Sequence, residues 1–207
     1  MLHLPKISGS RGTCVMSHEL IAFDADLHRY TVDGKIYPSV TTILSFAGVA
    51  PNFSMIDPQV LEKKRQIGIT AHELTQLIDM GQNPEDGYSQ SYAKFKVETD
   101  FKPVEIELPV YSKTQGFTGT IDRVGELKGK LCILDLKTSA TLDMPYMGPQ
   151  TAAYELAYRE WAEYKKAMPR YILQLKPDGN YKLVQCKDQE DINIFLYALQ
   201  IMKWRKK

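Results

Sequence analysis

The sequence predicts an α/β (α+β) chain with a central mixed β-sheet flanked by helices, and three observations predict it. The stretch 117–139 reads as two strands, 118–124 and 131–137, joined by the polar turn 126–130, where Gly129 suits a tight connection. Apolar residues recur at helical spacing on either side of that pair, over 57–81 and 149–166. The segments then run β-hairpin, helices, strands, helix, hairpin, helix, an order that places helices on the faces of a sheet. At 207 residues the chain is long enough to bury a core as one domain. That domain is read as 19–207, behind a flexible or loosely attached lead, 1–18, that contains Ser8-Gly-Ser-Arg-Gly12.

Each element has its own local cause. Asp33-Gly34 between 30–32 and 35–37 is a strong hairpin signal. Pro38-Ser39 opens a short helix, 40–46, with Ser39 as its N-cap. Asp57 and Pro58 open the next helix as N-cap and first-turn proline, and Gly81 closes it. Val60, Ile67, Ala71, Leu74 and Ile78 form its apolar stripe, while Arg65, Gly68, His72 and Gln76 lie on an adjacent face. Gly68, one turn ahead of His72, leaves room for a close approach.

After a loop at 83–87, a helix over 89–99 interleaves Tyr92, Lys94, Phe95 and Lys96. Such a helix is either a solvated amphipathic one or a guide for a single strand by stacking and phosphate contact. The run 104–111 alternates Val104, Ile106, Leu108 and Val110 and reads as a strand beside the central hairpin. Glu105 and Glu107 share its other face, as exposed acids or with one of them an extra metal ligand. Beyond Lys137 a loop leads to the helix 149–166, where Gln150, Tyr154, Ala157 and Trp161 share a face. Read blandly, Tyr154 is core and Gln150 caps the first turn. Strands 171–174 and 182–186 pair around Pro177-Asp178-Gly179-Asn180, and Asp188 caps a last helix with the basic end Lys203-Trp-Arg-Lys-Lys207.

The chemistry concentrates in the central pair. In the second strand Leu131, Ile133, Asp135 and Lys137 share one face, and Cys132, Leu134 and Leu136 the other. Asp135 thus emerges at the end of a core strand, where an ionised carboxylate is costly unless it is paired or binds a metal. Thr118, Thr120 and Asp122 share a face of the first strand, and Gly119 leaves room there for another backbone or a ligand. A hairpin that closes in register brings Asp122 onto Asp135. The bland alternative for Asp135 and Lys137 is an ordinary salt bridge on a strand.

Composition bounds the partners. Hydrophobic residues make up 43% and charged residues 25%, as in a soluble globular protein. No apolar run approaches a membrane span and no secretory pattern opens the chain, so a cytoplasmic location without a membrane partner is expected. The net charge of +1 gives no strongly basic nucleic-acid footprint, although acids that hold metal ions lower the total. Cys14, Cys132 and Cys186 are far apart and odd in number, which suits a reducing compartment. The chain holds no GxxxxGK[ST] loop, so any helicase motor must be another chain.

Four motifs stand in order: Gly68-Ile-Thr-Ala-His72, Gly119-Thr-Ile-Asp122, Asp135-Leu-Lys137 and Gln150-Thr-Ala-Ala-Tyr154. A lone DxK is weak, but this set resembles the PD-(D/E)xK nuclease superfamily, and most closely its RecB-like exonuclease branch. Pro38-Ser-Val-Thr41 also resembles a stretch in some phage and mitochondrial relatives. The resemblance implies a restriction-endonuclease-like core and a metal-dependent deoxyribonuclease, an exonuclease on DNA ends or single-stranded DNA in recombination, repair or replication. It implies Mg²⁺ or Mn²⁺, one or two ions, and a recombination or replication protein as a conceivable partner. Asp122, Asp135 and the carbonyl of Leu136 are assigned as ligands, since a hard cation needs few protein oxygens. His72, by itself a helix-surface or core histidine, is implied by the resemblance to bind a second metal or steady the leaving side. Lys137 orients or deprotonates the attacking water, with its pKa expected to fall beside a metal. Gln150 and Tyr154 reach toward the site and the DNA backbone. Some RecB-like relatives hold an iron–sulfur cluster with four cysteines, which three cannot supply. The compact chain suits a phage source and hence a host cytoplasm. The alternative reading is a catalytically silent nucleic-acid-binding module of the same fold.

Overall fold

Four short strands open the chain: β1 (Thr13–Met16), β2 (Glu19–Asp24), β3 (Arg29–Val32) and β4 (Lys35–Tyr37), an antiparallel meander in that order. A computed structural model describes residues 13–16, 19–24, 27 and 29–205. Strand β1 falls within the lead expected over 1–18, and the rest of that lead lies outside the described residues. Asp33 and Gly34, both left-handed at φ 48° and 77°, make the two-residue turn between β3 and β4 that their sequence predicts.

Helix α1 (Val40–Phe46) begins where Ser39 Oγ accepts the Thr42 N–H at 3.1 Å. Helix α2 (Pro58–Asp79) begins where Asp57 Oδ1 accepts the Gln59 N–H at 2.7 Å, and Gly81 at φ 86° turns the chain away from its end. Its buried stripe is shorter than expected. Ala71 and Thr75 are buried, whereas residues 58–66, Val60 included, stand in solvent. Helix α3 (Gly87–Thr99) carries a reciprocal cap between Asp86 and Ser89. Tyr92 and Phe95 are wholly buried on it, Lys96 pairs with Asp79, and Lys94 reaches Asn180. The aromatics that a single strand would need for stacking therefore belong to the core.

The main sheet has five strands, β5 (Lys102–Ser112), β6 (Phe117–Leu127), β7 (Lys130–Lys137), β8 (Arg170–Leu175) and β9 (Tyr181–Cys186), bonded in that order. Neighbours are antiparallel except β7 and β8, which are parallel and joined by the crossover helix α4 (Met144–Trp161). Helix α4 starts and stops before the expected 149–166. Asp143 precedes its first turn, Pro145 sits in that turn, and Pro149 lies inside the helix, so Gln150 does not cap it. The chain leaves α4 through Glu163, at φ 50°. Helix α5 (Asp191–Arg205) starts three residues after Asp188, whose carboxylate instead accepts the Glu190 N–H in the turn ahead of it.

Side chains decide the layering. One face of the sheet packs Leu108, Val124 and Ile133 against Val40 and Ile43 of α1, Ala157 of α4 and Phe195 of α5. The other packs Leu134, Leu136 and Leu173 against Tyr92 and Phe95 of α3. The expected alternation of β5 holds only in part. A bulge between Pro103 and Glu105 shifts its register, leaving Val104 exposed while Leu108 and Val110 are buried. No helix among the described residues is long and apolar enough to cross a membrane.

Candidate metal centre and active site

The site forms where β6 and β7 part. Their ladder runs from Leu127 and Lys130 to Arg123 and Leu134 and stops there. Beyond that point β6 continues beside β5, and β7 beside β8. Asp122 is the next residue in register, facing Asp135, and its side chain takes over from the lost ladder. Its Oδ2 accepts the Leu136 N–H at 2.6 Å. On the opposite side, Glu107 lies between the paired residues Ile106 and Leu108, which places it across from Asp122. Three carboxylates on three adjacent strands therefore form one row. Like charges set directly opposite are destabilising in a sheet unless something compensates them.

His72 of α2 reaches this row. Its Nδ1 lies 3.3 Å from Glu107 Oε1 and 3.7 Å from Asp122 Oδ1. Ligand atoms of His72, Glu107 and Asp122 all lie within 4.8 Å of one another. Adjacent ligands of an octahedral ion with bonds of about 2.1 Å are about 3 Å apart. The observed spacings suit a divalent cation with a small contraction. Asp135 stands next to them, buried, with Lys137 Nζ 2.7 Å from its Oδ2. Glu107 also holds a left-handed backbone, φ 46°, inside a strand. Non-glycine strain of this kind persists where surroundings impose it, often at functional sites.

The electrostatics follow from crowding and burial. Burial raises the Asp122 carboxyl, with Glu107 adding to it, against the opposing pull of His72, Lys137 and the Leu136 N–H. Burial likewise raises Asp135, to about 6, with Lys137 opposing and Asp122 reinforcing. At His72 burial disfavours the imidazolium, but Asp122 and Glu107 outweigh it and push the group up to about 9. At Lys137 burial is again outweighed, by Asp135 and then Asp122, so its ammonium is raised rather than lowered. The two carboxylates that face Lys137 set this direction, and the fall expected beside a metal concerns a different charge environment.

Other residues singled out in the sequence take definite places. Gln150 and Tyr154 are buried, and Gln150 Nε2 donates to Tyr154 Oη at 3.1 Å, leaving Gln150 Oε1 without a partner. The room left by Gly119 is filled by Tyr154 itself, since an added Cβ would lie 2.7 Å from the ring. Gly68 faces Thr138 just beyond β7, where an added Cβ would make an ordinary contact at 3.8 Å. Leu136 is a core side chain, and its N–H is the group that touches Asp122. Arg123, Thr75 and Tyr30 belong to the surroundings of the site without a motif in the sequence to mark them. Tyr30 Oη lies 2.7 Å from Thr120 Oγ1, two residues from Asp122. Of the two acids on β5, Glu107 is the one that joins the site.

Two glycines give a matched pair of substitutions. Gly119→Ala should force the Tyr154 ring off its seat at a cost of about 1–3 kcal/mol, the usual range for overpacking. For a chain of this size that lowers Tm by roughly 2–12 °C. Gly68→Ala should leave Tm near that of the parent. Differential scanning calorimetry of both variants checks the contrast, and equal Tm values would refute it.

The geometry agrees with the comparison to known families. The model of the PD-(D/E)XK nuclease superfamily matches residues 61–199, and the chain belongs to that superfamily. Its five-stranded mixed sheet with helices on both faces is the restriction-endonuclease-like α/β fold. A search of curated proteins finds no match.

Proposed function

We propose that the chain is a divalent-metal-dependent deoxyribonuclease that hydrolyses phosphodiester bonds, acting as an exonuclease on DNA ends or single strands. Superfamily membership makes it a nuclease fold and implies a nucleic-acid substrate. The observation that carries the metal-dependent reading is the meeting of His72, Glu107 and Asp122 within 4.8 Å, beside the buried Asp135–Lys137 ion pair. The preference for DNA and for ends rests on the RecB-like motifs at Gly119–Asp122, Asp135–Lys137 and Gln150–Tyr154, as do the roles in recombination, repair or replication.

His72, Glu107 and Asp122 would hold the cation, with Asp135 and the Leu136 carbonyl as further oxygen donors at the same strand ends. Bound there, a divalent cation supplies Lewis acidity toward a phosphoryl oxygen and a water of lowered pKa. An imidazole among carboxylates favours Mn²⁺ over Mg²⁺, following the order of ligand softness and affinity. Lys137, held in its charged form by Asp135 and Asp122, orients a water or neutralises phosphate charge. The Tyr154 ring packs on Gly119 and its hydroxyl accepts from Gln150, whose Oε1 would offer an acceptor to a bound hydroxyl or water.

The test compares linear with circular single-stranded DNA, with Mn²⁺, with Mg²⁺ and with chelator. Loss of the linear substrate alone, abolished by chelator and by Asp135→Ala, is the expected result. Cleavage of both forms would make the enzyme an endonuclease. Two intact substrates would leave the silent binding module in its place.

A further inference from the structure

We propose that Arg123 is a positioning residue that sets the spacing of all three candidate ligands. The proposal rests on reading His72, Glu107 and Asp122 as a metal site. Arg123 is wholly buried in the middle of β6, a place where an arginine requires partners. Each arm of its guanidinium has a separate task. Nη1 donates to Glu107 Oε1 at 3.0 Å and to the Asp122 carbonyl at 2.6 Å. Nη2 donates to Thr75 Oγ1 at 3.0 Å, and that hydroxyl donates to the His72 carbonyl at 2.8 Å. Nε donates to Asp79 Oδ2 at 2.7 Å, which anchors the group to the end of α2.

One side chain therefore reaches Glu107 directly, Asp122 through its own backbone and His72 through a single hydroxyl. The planar guanidinium fixes the angles between these contacts, which an ammonium could not. Asp79 is in turn held by Lys96 at 2.6 Å and by the Tyr92 hydroxyl at 2.9 Å, and the Arg123 guanidinium lies over the Tyr92 ring at 5.6 Å. Glu107, whose backbone is left-handed at φ 46°, presents the same Oε1 to Arg123 and to His72. Outer partners that orient ligands in this way usually govern metal affinity about as strongly as a weak ligand does.

A purely structural role for Arg123 would lower stability in proportion to broken bonds and leave metal affinity alone. The two roles separate in a Mn²⁺ titration of the full chain followed by electron paramagnetic resonance of the free ion, with Tm recorded for each variant. Thr75→Val cuts the relay to His72 while keeping side-chain volume, and Arg123→Lys removes the fork. Each should weaken Mn²⁺ binding about 10- to 100-fold, and Thr75→Ser should restore it. Tyr92→Phe removes a hydrogen bond to Asp79 and keeps the Arg123 contacts to Glu107, the Asp122 carbonyl and Thr75, so it should lower Tm and leave Mn²⁺ affinity within about twofold of the parent.

Folded Thr75→Val that binds Mn²⁺ like the parent overturns the proposal. It keeps the test decisive even if Arg123→Lys does not fold. A loss of affinity in Tyr92→Phe equal to that in Thr75→Val overturns it as well, since affinity would then follow stability alone. A parent chain that binds no Mn²⁺, or whose Mn²⁺ binding His72→Ala leaves unchanged, sinks the metal-site reading and this proposal with it. Binding that is lost in His72→Ala but kept in both Thr75→Val and Arg123→Lys sinks the positioning role alone.

Discussion

Asp122→Asn should abolish nuclease activity while leaving the metal-free protein at least as stable as the parent. The two effects have one cause. Asp122 stands between Glu107 and Asp135 in a row of three acids, and burial raises its carboxyl, so the ionised form is disfavoured in the folded chain. Its folded pKa lies above the unfolded one, so near neutral pH ionisation costs stability. An amide of the same shape keeps an oxygen for the Leu136 N–H and removes one charge from the row. The same change deletes the central donor among His72, Glu107 and Asp122. Metal-assisted hydrolysis draws several kcal/mol from the ion, and at about 1.4 kcal/mol per tenfold the loss in rate is on the order of 10³ or more. Calorimetry and a gel assay on labelled linear DNA read both quantities. Activity within tenfold of the parent, or a Tm clearly below it, would remove Asp122 from the centre of the site.

Much of this arrangement was legible in the sequence because it is local. Ser39, Asp57 and the Asp33-Gly34 turn act through their own neighbours, and each does what its residue type dictates. The meeting of Asp122 and Asp135 is also local, since a hairpin that turns at Lys128 and Gly129 fixes which residues face each other. Glu107 was harder to weigh. Period-2 reasoning places Glu105 and Glu107 on one face and cannot tell them apart. A positive φ at Glu107, where the ladder to β6 is interrupted, then separates them, and it leaves no mark in hydrophobic spacing. Tyr92 and Phe95 misled for a related reason. Aromatic and basic residues on a helix look alike whether the aromatics face a ligand or a sheet, and only the packing against Leu134 and Leu173 decides. Helix α4 begins ahead of its apparent start because Pro149 reads as a first-turn residue, whereas Pro145 occupies that role.

Arg123 carries the second large expectation, a loss of stability that a second substitution should relieve. Arg123→Met leaves the buried Asp79 carboxylate with Lys96 and Tyr92 only, and takes from Glu107 its one arginine partner at 3.0 Å. Removing one member of a buried ion pair costs about 3–5 kcal/mol, because the other charge stays behind without compensation. At about 2–4 °C per kcal/mol for a chain of this length, Tm should fall by roughly 6–20 °C. In the double variant Asp79→Asn, Arg123→Met, the stranded charge is gone as well. Replacing both members of a buried pair is often close to neutral, so a substantial part of the lost Tm should return. Glu107 sets the limit of that recovery. It keeps about a quarter of its side chain in solvent and retains His72 as a neighbour, so its charge is the better tolerated of the two. A double variant no more stable than Arg123→Met would mean that Arg123 acts through its packing on Tyr92 rather than through the charge it neutralises.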